Sequence, residues 1–284
     1  MGETKYINGY LNYTGSKFKL LPQLLENFDY TKTYFVDLFS GSMVVSANVI
    51  NKYKKILVND ILNDVIGIHK GVLNSYGFIE KTKKICPNKN DAEAYAQLRN
   101  SYNHDKTPEK LWALILSCNS NFMRFNLDGF FNQSWGRRSW NKNTDKKVAD
   151  FIKHMEPHKN KIFFSSKHFS EIKITKPSFV YVDPPYGFCE DENGNITNKQ
   201  ISEAGYNVTY KMEADVELYK YLHNLNENDS TFMLSGLLEH DNKKSWIMNQ
   251  LIRDGFKYKE MIFDYNKVSK KGEKKSKEII IINY

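Results

Sequence analysis

The chain has 284 residues, 40% hydrophobic and 26% charged, which is enough apolar material for a packed core and excludes a disordered polyelectrolyte. Its net charge of +8 favours a polyanionic partner, although only five of the 41 basic residues are Arg. Three widely separated cysteines exclude a disulfide framework and a paired-cysteine zinc site, and no apolar run or signal segment points to a membrane, so a cytoplasmic protein without a metal is expected.

Tyr13-Thr14-Gly15-Ser16-Lys17, followed by Leu20-Leu21-Pro22, has two readings. One is a turn before an amphipathic helix, capped by Thr14 or Ser16. The other is a ligand site, with Lys17 on a carboxylate and Tyr13 against an apolar or cationic group. The segment by itself does not choose between them. Next comes a candidate strand, Tyr34 to Leu38, which runs into Asp37-Leu38-Phe39-Ser40-Gly41-Ser42 and then the apolar stretch Met43 to Ile50. A strand, a small-residue turn and a helix start make a place where backbone can approach a ligand closely. The second strand, Lys55 to Asn59, ends at Asp60, nineteen residues after Gly41, the spacing of the acid that binds ribose hydroxyls in nucleotide-binding α/β units.

About a hundred residues separate Asn59 from the next strand, Ile162 to Ser165. That is too long for one crossover and holds helical stretches at Ala92 to Tyr102 and Glu109 to Ser117, so an inserted subdomain is expected over residues 64–159. Within it, Asp128-Gly129 stands between aromatic-rich arms, a strong hairpin signal near residues 121–138. Three of the five Arg (Arg124, Arg137, Arg138) fall there, beside Asn126 and Asn132, and Arg and Asn suit bidentate base reading and phosphate contact. A structural hairpin stapled by Phe and Trp is the competing reading. His154 and His158 flank Pro157 and read as surface histidines rather than metal ligands.

The run Ser178-Phe179-Val180-Tyr181-Val182 reads as a buried strand stopped by two prolines in Asp183-Pro184-Pro185-Tyr186. The stop places a carboxylate, a Pro carbonyl and an aromatic ring at the strand's carboxyl end, where open α/β sheets bind ligands. An exocyclic amino group needs two acceptors for its two hydrogens, and a flat base needs a ring to stack on. Gly187 to Asn207 reads as an irregular, mobile segment placed to act as a lid. Strands at Thr231 to Ser235, Lys257 to Asp264 and Glu278 to Asn283 follow, the last two joined by a solvated Lys-rich turn, Ser269 to Lys274. Seven strands, mostly parallel and ending in an antiparallel hairpin, make a doubly wound α/β sheet formed by residues 1–63 and 160–284.

Taken together, Tyr13-Thr14-Gly15-Ser16-Lys17, Asp37-Leu38-Phe39-Ser40-Gly41, Asp60, Asp183-Pro184-Pro185-Tyr186 and the closing Lys277 to Tyr284 resemble the Dam-type DNA adenine-N6 methyltransferases (D12 class, alpha group). The family's cofactor turn reads FxGxG, and Met43 stands here at its last position; its first motif often begins with Trp, and Tyr13 stands here. The resemblance implies a Rossmann-like methyltransferase with a helical target-recognition insertion and S-adenosylmethionine as cofactor, held by Tyr13, Lys17, Asp37, Phe39, Gly41, Asp60 and Asp183. It further implies double-stranded DNA as substrate, GATC as a first guess at the motif, and a cognate restriction endonuclease as a functional rather than physical partner, in a bacterial or phage-infected cell. On this reading Asp183 and the Pro184 carbonyl accept the amino hydrogens, Pro185 stiffens the turn, and Tyr186 stacks on an extruded adenine. The rival readings are transfer to RNA adenine, cytosine N4 or protein glutamine, and an inactive DNA-binding regulator. Asp before Pro184 and the Arg-bearing insertion favour DNA adenine.

Overall fold

A computed structural model describes residues 6–202, 210–262 and 276–284 of the chain. The Lys-rich turn expected at 269–274, with Lys270, Lys271, Lys274 and Lys275, lies outside the described residues, as do the ends of the expected Lys257–Asp264 strand and Gly187–Asn207 segment. The fold is of the expected mixed α/β, Rossmann-like class, and all seven strands read from the sequence are present. The chain forms two compact units, one from residues 6–21 and 40–167, the other from 22–39 and the described part of 168–284.

A short helix, α1 (Leu21–Leu25), precedes the first strand, β1 (Tyr34–Asp37). The first unit holds α2 (Val44–Val49), β2 (Lys55–Asn59), α3 (Asn63–Asn74), α4 (Tyr76–Ile85), α5 (Ala92–His104), α6 (Pro108–Ser117), α7 (Lys142–Met155) and β3 (Ile162–Ser165). Strands β2 and β3 pair in parallel from Ile56↔Ile162 to Asn59↔Ser165. Helix α6 is buried from Leu111 to Ser117, because Leu-Trp-Ala-Leu-Ile-Leu is apolar all round; α3, α4 and α5 pack on it. Its Trp112 meets the rings of Tyr10, Phe78 and Trp140. Trp112 and these rings therefore form an apolar centre within the first unit.

Around Asp128-Gly129 no regular strands form, but isolated bridges join Phe125 to Phe131 and Cys118 to Trp135, and Gly129, at φ 75°, closes the turn with its N–H on the Asn126 carbonyl at 2.9 Å. His154 faces protein, its Nε2 donating to the Ala47 carbonyl at 2.8 Å, and no cluster of metal-ligating side chains occurs among the described residues.

The second unit adds β4 (Ser178–Val182), β5 (Phe188–Glu190), β6 (Ile196–Gln200), α8 (Met212–Glu227), β7 (Thr231–His240), β8 (Lys243–Lys244), α9 (Trp246–Arg253), β9 (Lys257–Met261) and β10 (Ser276–Ile282). Its sheet runs β1-β4-β7-β10-β9, parallel across β1, β4 and β7 and antiparallel across β7, β10 and β9. Every residue of β4 is buried, as a central parallel strand with both faces covered requires. The structure extends β7 five residues past Ser235, because β10 pairs along it as far as His240. Between Gly187 and Ile201 lies no irregular lid but the hairpin β5–β6, tied to α9 by Glu190–Arg253 at 2.8 Å and by Gln250 Nε2 on the Gly194 carbonyl at 3.1 Å. Alternation there is short and interrupted by the Asp191–Asn195 turn, which is why the strands were not legible. No helix among the described residues is long and apolar enough to cross a membrane.

Candidate functional site

Register brings the second unit's polar residues to one sheet edge. Asp37 is paired with Tyr181 and Val182 with Leu234, so Asp37 and Asp183 stand at the carboxyl ends of adjacent parallel strands, and Ser235 follows the last parallel pair on β7. The two prolines after Asp183 have no N–H to continue a ladder, so the chain leaves the sheet there. The half-buried Asp183 carboxylate accepts from Ser235 Oγ at 3.1 Å, and Ser235 Oγ is 2.9 Å from the buried Tyr181 hydroxyl. This hydroxyl chain fixes the carboxylate's orientation, and Ser235 was visible in the sequence only as the last residue of a strand. Phe39 lies against Phe169, ring centroids 5.5 Å apart. Tyr186 is half-buried and packs on Cys189, Ile201 and Leu237, which the hairpin and β7 supply.

In the first unit a second cluster forms around the turn at Gly41. The Asp60 carboxylate accepts from the Gly41 N–H at 3.0 Å and from the Leu62 N–H at 2.9 Å, while the Ser40 N–H reaches the Asn59 carbonyl at 2.8 Å. Asp60 is buried, which pushes its carboxyl up to about 6 against the pull of its two backbone donors. Gly41 has φ 45°, and a Cβ there would lie 2.9 Å from the Tyr13 ring, so the aromatic residue closes directly over bare backbone. Met43, where the family's pattern has Gly, adopts the left-handed conformation that Gly would, φ 60° and ψ 16°. Its strain of about 1–2 kcal/mol is offset by a side chain that is wholly buried. Lys17 is buried at the start of a short 3-10 turn, Lys17–Leu20, whose N-cap Ser16 makes no side-chain capping bond, so the capped-helix reading fails for Ser16.

Sequence reading missed His69. It lies on the buried face of α3 with Nε2 2.8 Å from the Gly41 carbonyl and Nδ1 2.5 Å from the Tyr10 hydroxyl. A carbonyl only accepts, so Nε2 carries the hydrogen and Nδ1 accepts from Tyr10. Burial pushes its pKa down to about 4, which keeps it neutral in this role. A lone His among apolar residues gives no signal for this contact.

The hairpin uses some of its predicted DNA-contacting residues on itself. Arg124 donates to Asn132 through Nε (2.8 Å) and Nη2 (3.0 Å), and Asn126 Oδ1 accepts from the Phe130 N–H at 2.8 Å. Arg137, at φ 52°, lies 5.6 Å from the Trp135 ring centre, and Arg138 Nη1 donates to Asn121 Oδ1 at 2.5 Å. Both guanidinium residues line a cavity of about 410 Å³ with Lys89 and Lys147, and no Asp or Glu lines it.

A family model described as the D12 class N6 adenine-specific DNA methyltransferases matches residues 13–260. The chain is 29% identical over 297 residues to the modification methylase StsI of Streptococcus sanguinis, covering 99% of this chain and 43% of that protein. It is 28% identical over 292 residues to the type II methyltransferase M.FokI of Planomicrobium okeanokoites, covering 98% and 43%. With the DNA adenine methylase of Escherichia coli (strain K12) it shares 26% identity over 184 residues, 62% of this chain and 64% of that one. The chain thus spans less than half the length of the modification methylases it matches.

Replacing His69 with Phe leaves the Gly41 carbonyl and the Tyr10 hydroxyl without their imidazole partners in a dry site. The expected loss is about 2–4 kcal/mol of unfolding free energy, measured by denaturant titration. An unchanged midpoint would remove His69 from this role.

Proposed function

Because the chain belongs to the D12 class N6 adenine-specific DNA methyltransferases, we propose that it methylates N6 of an adenine extruded from a short duplex motif. The observation that carries this reading is the Asp183 carboxylate, oriented by Ser235 at the end of a buried parallel strand and followed by two prolines and Tyr186. The adenine amino lone pair is delocalised into the ring and is a poor nucleophile. Asp183 and the Pro184 carbonyl accept the two amino hydrogens, which favours a pyramidal nitrogen with its lone pair projecting from the base plane. Pro185 keeps the turn rigid, and Tyr186 stacks on the base once it has left the duplex. The residues thereby act through orientation and charge placement.

S-adenosylmethionine, when bound, supplies the electrophilic methyl group. The residues fit such a group. Ser40 Oγ is buried without a hydrogen-bond partner among the described residues, and the bare backbone of Gly41 leaves a cradle under the Tyr13 ring. Within the first unit Asp60 would accept from ribose hydroxyls beside Tyr13, Lys17 and Gly41; the contacts proposed for Asp37, Phe39 and Asp183 rest on the family resemblance. The duplex is met by the insertion, residues 64–159, through Arg124, Asn126, Asn132, Arg137 and Arg138, and the cation-lined cavity beside Arg137 suits a phosphate. GATC is the starting expectation for the motif, and a cognate endonuclease would be a partner in function.

In a methylation-free host, single-molecule sequencing is expected to show N6-methyladenine in one short motif for the wild type. Asp183→Ala is expected to abolish it while still binding duplex DNA. Wild-type levels of methylation in the variant would sink the mechanism, and an unmodified genome with the wild type would sink the function.

S-adenosylmethionine binding is expected to weaken as pH falls through about 6, where Asp60 takes up a proton and loses acceptor capacity. Titration calorimetry between pH 7.5 and 5 checks this. Asp60→Asn should bind weakly at every pH and lose the slope, whereas a slope retained in Asp60→Asn assigns the titration elsewhere.

Arg137→Ala should weaken DNA binding for cognate and unrelated duplexes alike and reduce the salt slope of log K by about 1. An unchanged slope removes Arg137 from phosphate contact.

A further inference from the structure

Asp215 is an acid in the first turn of α8, a position where a solvated carboxylate ordinarily gains modestly from the helix dipole. Here it is 0% exposed. Burying an anion costs far more than that gain unless it is bonded, so its contacts need an account. The carboxylate accepts from the Phe188 N–H at 2.7 Å and from the Tyr210 hydroxyl at 2.8 Å. The Gly187 backbone passes so close that a Cβ there would stand 2.3 Å from Asp215 Oδ2. Burial raises its carboxyl to about 6, and the two donors pull the other way, so it is an anion at neutral pH.

The group it grips is a single peptide unit. The Gly187 carbonyl accepts from the Ile201 N–H at 3.0 Å, while the N–H of that same peptide, on Phe188, is held by Asp215. Bonding both ends of one peptide plane stops it rotating, and this plane is separated from Tyr186 only by Gly187, the residue type that otherwise leaves the chain freest to turn. Ile201 also belongs to the apolar cluster on which the Tyr186 ring rests.

We propose that Asp215 is a positioning residue for base capture, locking the Gly187–Phe188 peptide so that the Tyr186 ring is held ready for the extruded base. The inference rests on the methyltransferase reading above. Gly187 is then required for the approach of the carboxylate, and the hairpin β5–β6 is the wall against which the lock closes.

The test compares wild type, Asp215→Asn and Tyr210→Phe on a cognate duplex. An amide of the same size accepts through one oxygen only and turns an N–H toward the other donor. Asp215→Asn is expected to lower kcat about tenfold or more, with the Kd for S-adenosylmethionine and for DNA within about twofold of wild type. Hydrogen exchange over residues 186–190 should quicken in parallel. A 2-aminopurine at the target position should be extruded but less quenched, since its stacking ring is loose. Tyr210→Phe removes one donor and should give the same pattern more weakly, about threefold in kcat, and it carries the test if Asp215→Asn does not fold. Unchanged kcat and quenching, with only a loss of thermal stability, would make Asp215 a structural anchor and overturn the proposal. A wild type that methylates no DNA overturns the functional reading and base capture with it, whereas an active wild type with unaltered exchange in Asp215→Asn overturns the lock alone.

Discussion

The parallel pairing of β4 between β1 and β7 is the constraint on which the rest of the second unit depends. A parallel ladder has one carboxyl edge, and its register decides which side chains share that edge. Here it sets Asp37 and Asp183 on adjacent strands and puts Ser235 within hydrogen-bond reach of Asp183. Slipping β4 by one residue would turn Asp183 to the other face and separate it from Ser235. The full burial of β4 resists such a slip, because every residue in it is packed.

Both units use buried ionisable groups to hold backbone beside the candidate site residues. Asp60 grips the Gly41 and Leu62 amides, His69 grips the Gly41 carbonyl, and Asp215 grips the Phe188 amide. In each case the polar group is dry and hydrogen-bonded, which makes removal of one partner costly and the local conformation hard to change. Glycine stands beside each grip for the same reason: at Gly41 and Gly187 a side chain would occupy the space that the Tyr13 ring or the Asp215 carboxylate fills.

Residues 121–147 of the first unit divide their polar side chains between structure and surface. Arg124, Asn126 and Asn132 bond to one another's neighbourhood within the hairpin, while Arg137 and Arg138 line a cavity with two lysines and no acid. Arg137 holds a left-handed conformation that costs about 1–2 kcal/mol in a non-glycine residue. Its ring contact with Trp135 and the packed hairpin beneath supply the opposing energy.

Local pattern by itself determined seven of the strands and the ends of two of them at Asn59 and Val182, because short β-branched and aromatic runs stopped by Gly, Asp or Pro have few alternatives. The same holds for the helices at Ala92–His104 and Pro108–Ser117 and for the Asp128-Gly129 turn, though not for α3 and α4. It also marked Asp60 and Asp183 as site candidates, since each ends a strand. What it did not carry were Ser235, His69 and Asp215, or the hairpin β5–β6. Each of these takes its role from a partner 27 to 59 positions away or from docking on another element. A lone Ser, His or Asp has no periodicity, so only the packed chain decides that its oxygen or nitrogen lies within 3.1 Å of the group it holds. Met43 makes the same point from the other side: the sequence flagged a missing glycine, and the structure shows buried volume sustaining the glycine-like turn.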